Sequence, residues 1–256
     1  MSEAHWVQNP TSDPSSSQRF APSFQKDQGK HPRLSLASVF AVTSGKGGVG
    51  KTNVVANLAA ALTLRKKRVM VIDADLGMPN LDLFLGVKPD YTLADFFAGK
   101  VSLNEIIAIN SHGILLLPGA SGAQEITFLR DEQKVALLTE MDTLTHEMDF
   151  VLVDTGSGIS DSVTYFATGA QEIIVVATPD PSSITDAYGL IKVLTAAHRQ
   201  KRFCILANNV ADEHEARLVF DTLSRTTLRL LNASLDYLGW VPRDPALIQA
   251  DSRSQI

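Results

Sequence analysis

Several residue types and segments that mark common protein classes are missing, or nearly missing, from this sequence. It contains one cysteine, Cys204, so this chain alone forms no internal disulfide and holds no iron–sulfur cluster. No apolar run approaches the ~18 residues of a membrane span, and no apolar segment follows a basic one near the N-terminus as in a secretory signal. The six histidines lack the spacing of metal ligands, which argues against zinc. Together these absences predict a protein of the reducing cytosol.

Positive charge is also in deficit. The chain has 23 Lys and Arg against 28 Asp and Glu, a net charge of −5, which argues against a general DNA-coating protein. Two short basic clusters remain, at Lys66–Arg68 and His198–Arg202. Because cations are ordinary at the C-terminal ends of helices, a DNA-binding role for these clusters is only the weaker alternative.

The first 34 residues differ in composition from the rest. They are rich in Ser, Pro, Gln and charged residues and show no hydrophobic period. Such a segment buries too little apolar surface to offset the entropy lost on ordering, so residues 1–34 are predicted to be a disordered extension. It is either an inert tail or a short recognition segment around Phe20–Gln28. Residues 35–256 are predicted to form one domain.

From Leu36 onward, short apolar runs alternate with longer amphipathic ones. The short runs are β-branched or Leu-rich and nearly continuous in apolarity, which is typical of strands buried on both faces. This alternation predicts an α/β three-layer sandwich with a mostly parallel, doubly wound sheet between helices. The predicted strands are Val39–Thr43, Arg68–Asp73, Gly113–Leu117, Phe150–Asp154, Glu172–Ala177, Phe203–Asn208 and Asp236–Trp240, and the predicted helices are Lys51–Arg65, Phe128–His146, Ser160–Gly169, Ser183–His198 and Asp212–Leu230.

One stretch carries a complete phosphate-binding pattern. The segment TSGKGGVGKTN, Thr43–Asn53, contains G-x-x-x-x-G-K-[ST] between a predicted strand and a predicted helix. Glycines let the backbone come close to phosphates, its N–H groups point inward, and the helix N-terminus adds its dipole. In this pattern Lys51 reaches the β- and γ-phosphates, and the Thr52 hydroxyl is placed to bind Mg²⁺. The predicted nucleotide-binding residues of this loop are Gly45, Lys46, Gly47, Gly48, Val49, Gly50, Lys51, Thr52 and Asn53.

Carboxylates follow two of the predicted strands. Asp73 ends one strand with Asp75 just beyond it, in DADLGMPNLD, and Asp154 ends another, in FVLVDTGSG. Because ligands bind outside the carboxyl ends of parallel strands, all three should lie at the edge that holds the phosphate loop. Asp154, after its apolar run, fits the role of holding Mg²⁺ through water. The ordinary alternative for each Asp is a helix cap or a turn residue.

The motifs KGGVGKT, DADLGMPNLD and DTGSG, in this order, resemble those of the deviant Walker A ATPases, which include MinD, ParA and the nitrogenase iron protein. The resemblance covers about residues 36–251. It implies that Lys46, which has no obvious task within one chain, is a signature lysine reaching the partner's nucleotide in an ATP-sandwiched homodimer. It also implies that Asp75 orients the attacking water and that Asp73 and Asp154 support Mg²⁺. Lys46, Lys51 and Asp75 are therefore the predicted catalytic residues.

The same resemblance extends to the base of the nucleotide. Asn208 would read the adenine edge, and Pro242, Arg243 and Asp244, in GWVPRD, resemble the loop that closes over the base. Guanine-specific P-loop proteins usually carry N-K-x-D, whereas the corresponding stretch here is NNVA, residues 208–211. The expected cofactors are therefore ATP or ADP together with Mg²⁺.

Within the family, the stretch TPDPSSITDAYGLIKVL, Thr178–Leu194, is similar to the T-P-E-P-x-x-x-T-D-A-Y segment of the FlhG branch, and DTGSG is nearer to that branch than to MinD. This implies a slow ATPase, stimulated by dimerisation or a partner, that regulates flagellar number or placement. The implied partners are an FlhF-type, SRP-like GTPase and a flagellar transcription activator. The alternatives are a ParA-like DNA-partitioning ATPase, a MinD-like regulator of the division site, and a metabolic ligase or kinase.

MinD and FlhG chains normally continue into an amphipathic membrane-binding helix, and the residues Asp251–Ile256 do not resemble one. We expect no stable membrane binding by the chain as given, and a cytoplasmic location. A peripheral place at the inner membrane or the cell pole is the alternative if a longer protein carries such a helix.

Overall fold

The computed structural model describes residues 37–120 and 129–244. The predicted disordered extension, residues 1–34, and the sequence after Asp244 lie outside these ranges. The same holds for Phe128, the first residue of one predicted helix. What the sequence predicts for these parts stays a prediction.

The described residues form eight strands and eight helices. In chain order the strands are β1 Ser38–Ser44, β2 Val69–Ala74, β3 Ala108–Ile109, β4 Leu115–Leu117, β5 Phe150–Ser157, β6 Glu172–Ala177, β7 Arg202–Val210 and β8 Ser234–Pro242. The helices are α1 Lys51–Leu64, α2 Leu81–Leu85, α3 Leu93–Phe97, α4 Leu103–Ile106, α5 Asp131–Thr145, α6 Asp161–Gly169, α7 Pro181–His198 and α8 Glu213–Leu231.

The strands form one sheet in the order β3-β4-β2-β5-β1-β6-β7-β8. Every neighbouring pair is parallel except β3 with β4. The central strands β2, β5 and β1 therefore present their carboxyl ends side by side, and the register pairs Asp73 directly with Asp154. This is the edge at which the sequence predicts the site.

Two apolar cores lie on opposite faces of the sheet. Neighbouring residues of β1 alternate between them, with Ala41 in one core and Val42 in the other, as the two-residue period of a strand requires. Helices α1 and α2 pack on one face, and α3 to α8 contribute to the core on the other. The predicted three-layer sandwich with a mostly parallel sheet is confirmed. In the described part of the chain, no helix combines the length and the apolarity that crossing a bilayer demands.

All seven predicted strands and all five predicted helices have counterparts. The strand Glu172–Ala177 matches the prediction at both ends, and the other elements differ from it at one end or both. The sequence prediction missed β3 and the three helices α2, α3 and α4. These helices have four or five residues each, which is too short to display a hydrophobic period. β3 has two residues and pairs antiparallel to its neighbour, so a search for buried parallel strands overlooks it.

The last strand departs from the prediction of burial on both faces. β8 pairs with β7 alone among the described residues and alternates between exposed and half-buried positions. Leu238 and Val241 of β8 line an apolar cavity of about 530 Å³ beside α1, together with Phe40 and Leu206. An edge strand keeps one side of its backbone unpaired, so its exposure follows from its place in the sheet.

Candidate functional site

The loop between β1 and α1 adopts the shape that its glycines permit. Gly48 and Gly50 have φ angles of 74° and 88°, in the left-handed region that residues with a Cβ rarely enter. Gly50 precedes α1, and no side chain caps that helix. A Cβ on Gly45 would overlap the backbone of Asp186 and Ala187 in α7. The uncapped N–H groups at the start of a 14-residue helix, framed by a tightly packed loop, are suited to bind an anion.

Lys51 occupies the centre of this arrangement. Its side chain is buried, and burial lowers its pKa, while the charges of Asp154 and Asp75 act in the opposite direction. The ammonium group therefore lies near two carboxylates that come from different strands. A buried cation at the mouth of the phosphate loop is placed to balance phosphate charge.

Asp154 has an oxygen without a protein partner. It ends the apolar part of β5 and is 1% exposed, and its Oδ1 has no hydrogen-bond partner among the described residues. Burial raises its pKa to about 6, against the lowering effects of a hydrogen bond from Thr52 and the charge of Lys51. Buried polar atoms are normally satisfied, so such an oxygen points to a water or ion.

These groups fit a magnesium ion. Mg²⁺ commonly takes one or two protein oxygens and completes its shell with water and substrate phosphates. Thr52 and Asp154 supply two such oxygens beside the phosphate loop. No cluster of three or more His, Cys, Asp or Glu side chains within residues 37–120 and 129–244 is arranged to hold a metal. A magnesium ion held by Thr52 and Asp154 would complete its shell with water and phosphate oxygens.

Asp73, the third expected magnesium residue, is engaged otherwise. Its Oδ1 accepts the N–H of Asp75 at 3.2 Å, and its Oδ2 accepts the N–H groups of Asn80 at 2.9 Å and Leu81 at 3.0 Å. Burial raises its pKa to about 7, with the bond from Leu81 the largest opposing effect. The magnesium role of Asp73 stays a prediction, and the structure gives its oxygens other partners.

Asp75 begins the switch loop, which we define as Asp75–Asn80. Its Oδ1 accepts N–H groups from Gly77 at 3.2 Å and Met78 at 3.1 Å, so the carboxylate is turned toward its own loop. It nevertheless lies close enough to Lys51 and Asp154 to affect the pKa of both. Met78 is 78% exposed, so the middle of the loop faces solvent.

Lys46 forms hydrogen bonds within its own chain. The sequence alone suggests no role for this lysine in a single chain, and that expectation is wrong. Its Nζ donates to Asp180 Oδ2 at 2.6 Å and to Ser182 Oγ at 2.5 Å. Asp180 also caps α7 by accepting the Ser182 N–H. The hydrogen bond from Lys46 is the largest cause that lowers the pKa of Asp180, to about 2. In one protomer Lys46 is therefore tied to the start of α7.

Of the residues expected at the base of the nucleotide, Asn208 contacts the phosphate loop, and Pro242 and Arg243 lie at the end of β8 beside β7. Asn208 Nδ2 donates to the Val49 carbonyl at 2.7 Å, which fastens β7 to the loop. Pro242 ends β8, and Arg243 follows it, donating its N–H to the Val210 carbonyl at 2.8 Å. Asp244 is the last described residue. Asn53, in the first turn of α1, lines the apolar cavity together with Asn208.

A family model supplies the decisive comparison. The model for the CobQ/CobB/MinD/ParA nucleotide binding domain matches residues 40–255. This chain belongs to that family. The resemblance to MinD/ParA ATPases is thereby confirmed, and nucleotide binding is the property that the family description names.

Individual relatives refine the placement within the MinD/ParA family. The antiactivator FleN of Pseudomonas aeruginosa is 43% identical over 83% of this chain and 76% of its own length. The flagellum site-determining protein YlxH of Helicobacter pylori is 35% identical over 81% of this chain and 70% of its own. A solved MinC–MinD cell division complex from Aquifex aeolicus has a TM-score of 0.67 at 28% identity, covering 85% of this chain and 86% of that one.

A second solved relative bears on the ligands of the family. MinD from Pyrococcus horikoshii, solved with Mg-ADP, has a TM-score of 0.66 at 26% identity and covers 86% of both chains. That structure concerns the relative's own site. In the chain described here, the loop glycines, Lys51, Thr52 and Asp154 come together at one edge of the sheet.

Sequence reasoning missed three contributors to the site. Asp180 and Ser182 hold Lys46, although DPSS after a strand is a recognisable helix start, with Pro at the first helical position. Gly119, after β4, presses on the switch loop, since a Cβ there would lie 2.7 Å from the Cβ of Pro79. No local pattern around Gly119 indicates this contact.

Proposed function

We propose that this protein is a dimerising switch ATPase that uses Mg²⁺ and ATP and regulates the number or placement of flagella. The observation that carries the proposal is the different setting of the two loop lysines. Lys51 is buried beside carboxylates, whereas the Lys46 side chain is 39% exposed at the rim of the loop. A cation at the rim is able to reach a nucleotide held by a second copy. The 43% identity with FleN supports the flagellar role.

Nucleotide binding would use the groups already in place. The loop N–H groups and Lys51 would balance the phosphate charge, and Asn208 and the segment 242–244 would border the base. The bond from Asn208 to the Val49 carbonyl of the phosphate loop supports this role for Asn208. Thr52 and Asp154 would hold Mg²⁺, which supplies charge neutralisation and orients the phosphates when bound. Phosphoryl transfer to water needs mainly positioning and charge stabilisation, and these residues supply both.

Hydrolysis would depend on the switch loop. Asp75 is the first residue of the switch loop and lies near Lys51 and Asp154. It would orient the attacking water, provided that its carboxylate turns away from Gly77 and Met78. This requirement makes hydrolysis sensitive to the conformation of the loop. It agrees with a slow ATPase that a partner or dimerisation stimulates.

Dimerisation would draw Lys46 away from its place in one protomer. Its bonds to Asp180 and Ser182 compete with a nucleotide of the second protomer. When Lys46 leaves, Asp180 loses the cation that balances it at the start of α7. The nucleotide state would in this way be coupled to α7, a helix that a partner protein is able to contact.

The proposed partners are a second copy of this chain, an FlhF-type GTPase and a flagellar transcription activator, acting in the cytoplasm. FleN is described as an antiactivator and YlxH as a flagellum site-determining protein, which supports partners of these two kinds. MinC is the partner of MinD in one solved complex, which supports a protein-binding role for the dimer. DNA partitioning of the ParA kind remains the second candidate, on the fold alone.

The test of the dimer is the molar mass in solution without nucleotide, with ADP and with a non-hydrolysable ATP analogue. We expect a dimer only with the analogue. Lys46→Ala should keep nucleotide binding and stay monomeric, and exposed Lys67→Ala, which removes a lysine remote from the loop sequence, should dimerise as wild type. A Lys46→Ala protein that still dimerises contradicts the role given to Lys46.

The flagellar role is tested in the source organism. Deletion of the gene should change the number or position of flagella, and the wild-type gene but not the Lys46→Ala gene should restore them. Unchanged flagella in the deletion strain, together with salt-sensitive, ATP-dependent binding to nonspecific DNA, would favour the partitioning function instead.

A further inference from the structure

One buried side chain closes the switch loop at both ends. Asp73 is 2% exposed and is the last but one residue of β2. Its carboxylate accepts three backbone N–H groups, one from Asp75 at the start of the loop and two from Asn80 and Leu81 at its end. Removal of this carboxylate leaves the two ends of the loop without a common partner.

Helix α2 depends on the same carboxylate. Its N-cap residue, Asn80, has φ −151° and makes no capping hydrogen bond with its side chain. The N–H groups of Asn80 and Leu81 have no partner within the helix, and without Asp73 they would be left to water. The carboxylate of Asp73 accepts both of them. A five-residue helix does not persist on its own, so contacts from outside must hold its start in place.

The hydrogen bonds of Asp73 leave little capacity for a metal. A carboxylate oxygen accepts about two hydrogen bonds, and Oδ2 already accepts two. The orphan oxygen of the neighbouring strand belongs to Asp154. The two carboxylates are paired in register, yet Asp73 accepts backbone N–H groups of the switch loop, whereas Oδ1 of Asp154 has no hydrogen-bond partner among the described residues.

We infer that Asp73 is a positioning residue that anchors the switch loop and thereby sets where Asp75 stands, rather than a magnesium ligand. The inference rests on the proposed role of Asp75 in hydrolysis. Asp73 does not touch the reacting atoms; it acts through the loop that carries Asp75 and through the start of α2.

The surroundings of the anchor show where the loop is tight and where it has room. A cavity of about 160 Å³ lies beside it, and its lining includes Asp73, Pro79 and Thr92. Gly119 approaches from the chain after β4, and a Cβ there would lie 2.9 Å from the Asp73 carbonyl oxygen as well as against Pro79. Gly119 also lines this cavity, so a side chain added there would enter the space beside Asp73 and Pro79.

The first experiment measures amide hydrogen exchange in the nucleotide-free full chain. Asp73→Ala removes both oxygens that accept these N–H groups, whereas an asparagine would keep one accepting oxygen. We expect the amides of Asn80 and Leu81 to exchange roughly tenfold faster or more, because their acceptor is gone. Exchange as slow as in wild type would overturn the anchor, whatever the ATPase activity.

The second experiment separates an anchor from a metal ligand. In Asp73→Ala the kcat should fall roughly tenfold or more, while KM and the Mg²⁺ concentration for half-maximal activity stay within about threefold. Asp154→Asn should behave in the opposite way, with a shifted Mg²⁺ requirement and unchanged exchange at Asn80 and Leu81. A large shift in the Mg²⁺ requirement of Asp73→Ala, with slow exchange retained, would make Asp73 a ligand and refute the inference.

A second variant guards against a failure of Asp73→Ala to fold. Gly119→Ala pushes on Pro79 and Asp73 from outside, so it should speed exchange at Asn80 and Leu81 and lower kcat in the same direction. Gly169→Ala is the matched control, since a Cβ at the end of α6 meets nothing within 4 Å. Equal behaviour of the two glycine variants would contradict the coupling between the chain after β4 and the loop.

Discussion

The phosphate loop and the switch loop leave neighbouring regions of one sheet edge, yet they are held very differently. The phosphate loop runs from a seven-residue strand into a 14-residue helix, and Asn208 of β7 donates a hydrogen bond to the Val49 carbonyl near the end of the loop. The switch loop runs from β2 into the five-residue α2 and exposes Met78. Local stability depends on such contacts, so the phosphate loop is the more rigid of the two and is suited to hold a nucleotide. The switch loop has fewer contacts and is suited to change conformation when a nucleotide binds.

The largest expected effect is on the rate of ATP hydrolysis, in a variant that leaves nucleotide binding intact. Asp75→Ala should bind ATP and dimerise as wild type but hydrolyse it roughly 10²-fold more slowly or worse, because the group that orients water is gone. Single-turnover hydrolysis and equilibrium binding of a fluorescent ATP analogue measure the two properties separately.

Met78→Ala is the matched control for Asp75→Ala, since the side chain of Met78 is 78% exposed in the same loop. It should keep both nucleotide binding and hydrolysis. Normal turnover in Asp75→Ala would remove Asp75 from the catalytic residues. A loss of nucleotide affinity in that variant would mean that binding and response are not divided between the two loops.

The next effect is on folding and compares one glycine from each loop. Gly45→Ala places a Cβ on the backbone of α7, so the free energy of unfolding should fall by about 1–3 kcal/mol, and nucleotide affinity should fall with it. Gly77→Ala meets only Asp75 Oδ1, at 3.6 Å, and should change the free energy of unfolding by less than about 0.5 kcal/mol. Urea unfolding measures both, and equal losses would break the comparison.

The sequence predicted the phosphate loop better than the switch loop for a physical reason. The former is defined by local requirements, namely glycines at left-handed positions and a lysine at the start of a helix. The latter is defined by which backbone N–H groups the Asp73 carboxylate reaches, which depends on how the following residues fold. A motif search therefore assigns Asp73 by type and misses its partners.

Distance along the chain limits prediction in the same way. Lys46 and Asp180 are 134 residues apart, and only the parallel sheet brings the start of α7 to the phosphate loop. The strand order was not part of the sequence prediction, so neither was this ion pair. The three carboxylates were placed at one edge correctly, because that rule needs only the direction of the strands.

The smallest expected effect is a pH-dependent change in the free energy of unfolding, and it compares Asp154 with Asp73. Burial raises the pKa of Asp154 to about 6 in the folded chain, above the ~3.9 of an unfolded aspartate. The folded state therefore holds its proton over a pH range in which the unfolded state has lost it. In nucleotide-free protein with EDTA, this group stabilises the fold less as the pH rises from about 4 through 6.

Asp154→Asn should abolish that part of the pH dependence. The difference in free energy of unfolding between the variant and wild type should therefore be about 1–2 kcal/mol more favourable to the variant at pH 7 than at pH 4.5. Comparing variant with wild type at each pH cancels the other titrating groups. Asp73→Ala should lower the free energy of unfolding at both pH values, because its three accepted hydrogen bonds disappear with the carboxylate. It should also remove the pH dependence that Asp73 contributes, since burial raises the pKa of Asp73 to about 7. Equal changes in the free energy of unfolding for both variants would mean that Asp154 and Asp73 do not differ in hydrogen bonding as the structure has it. The contrast between the two loops would then have no support from the charges beneath them.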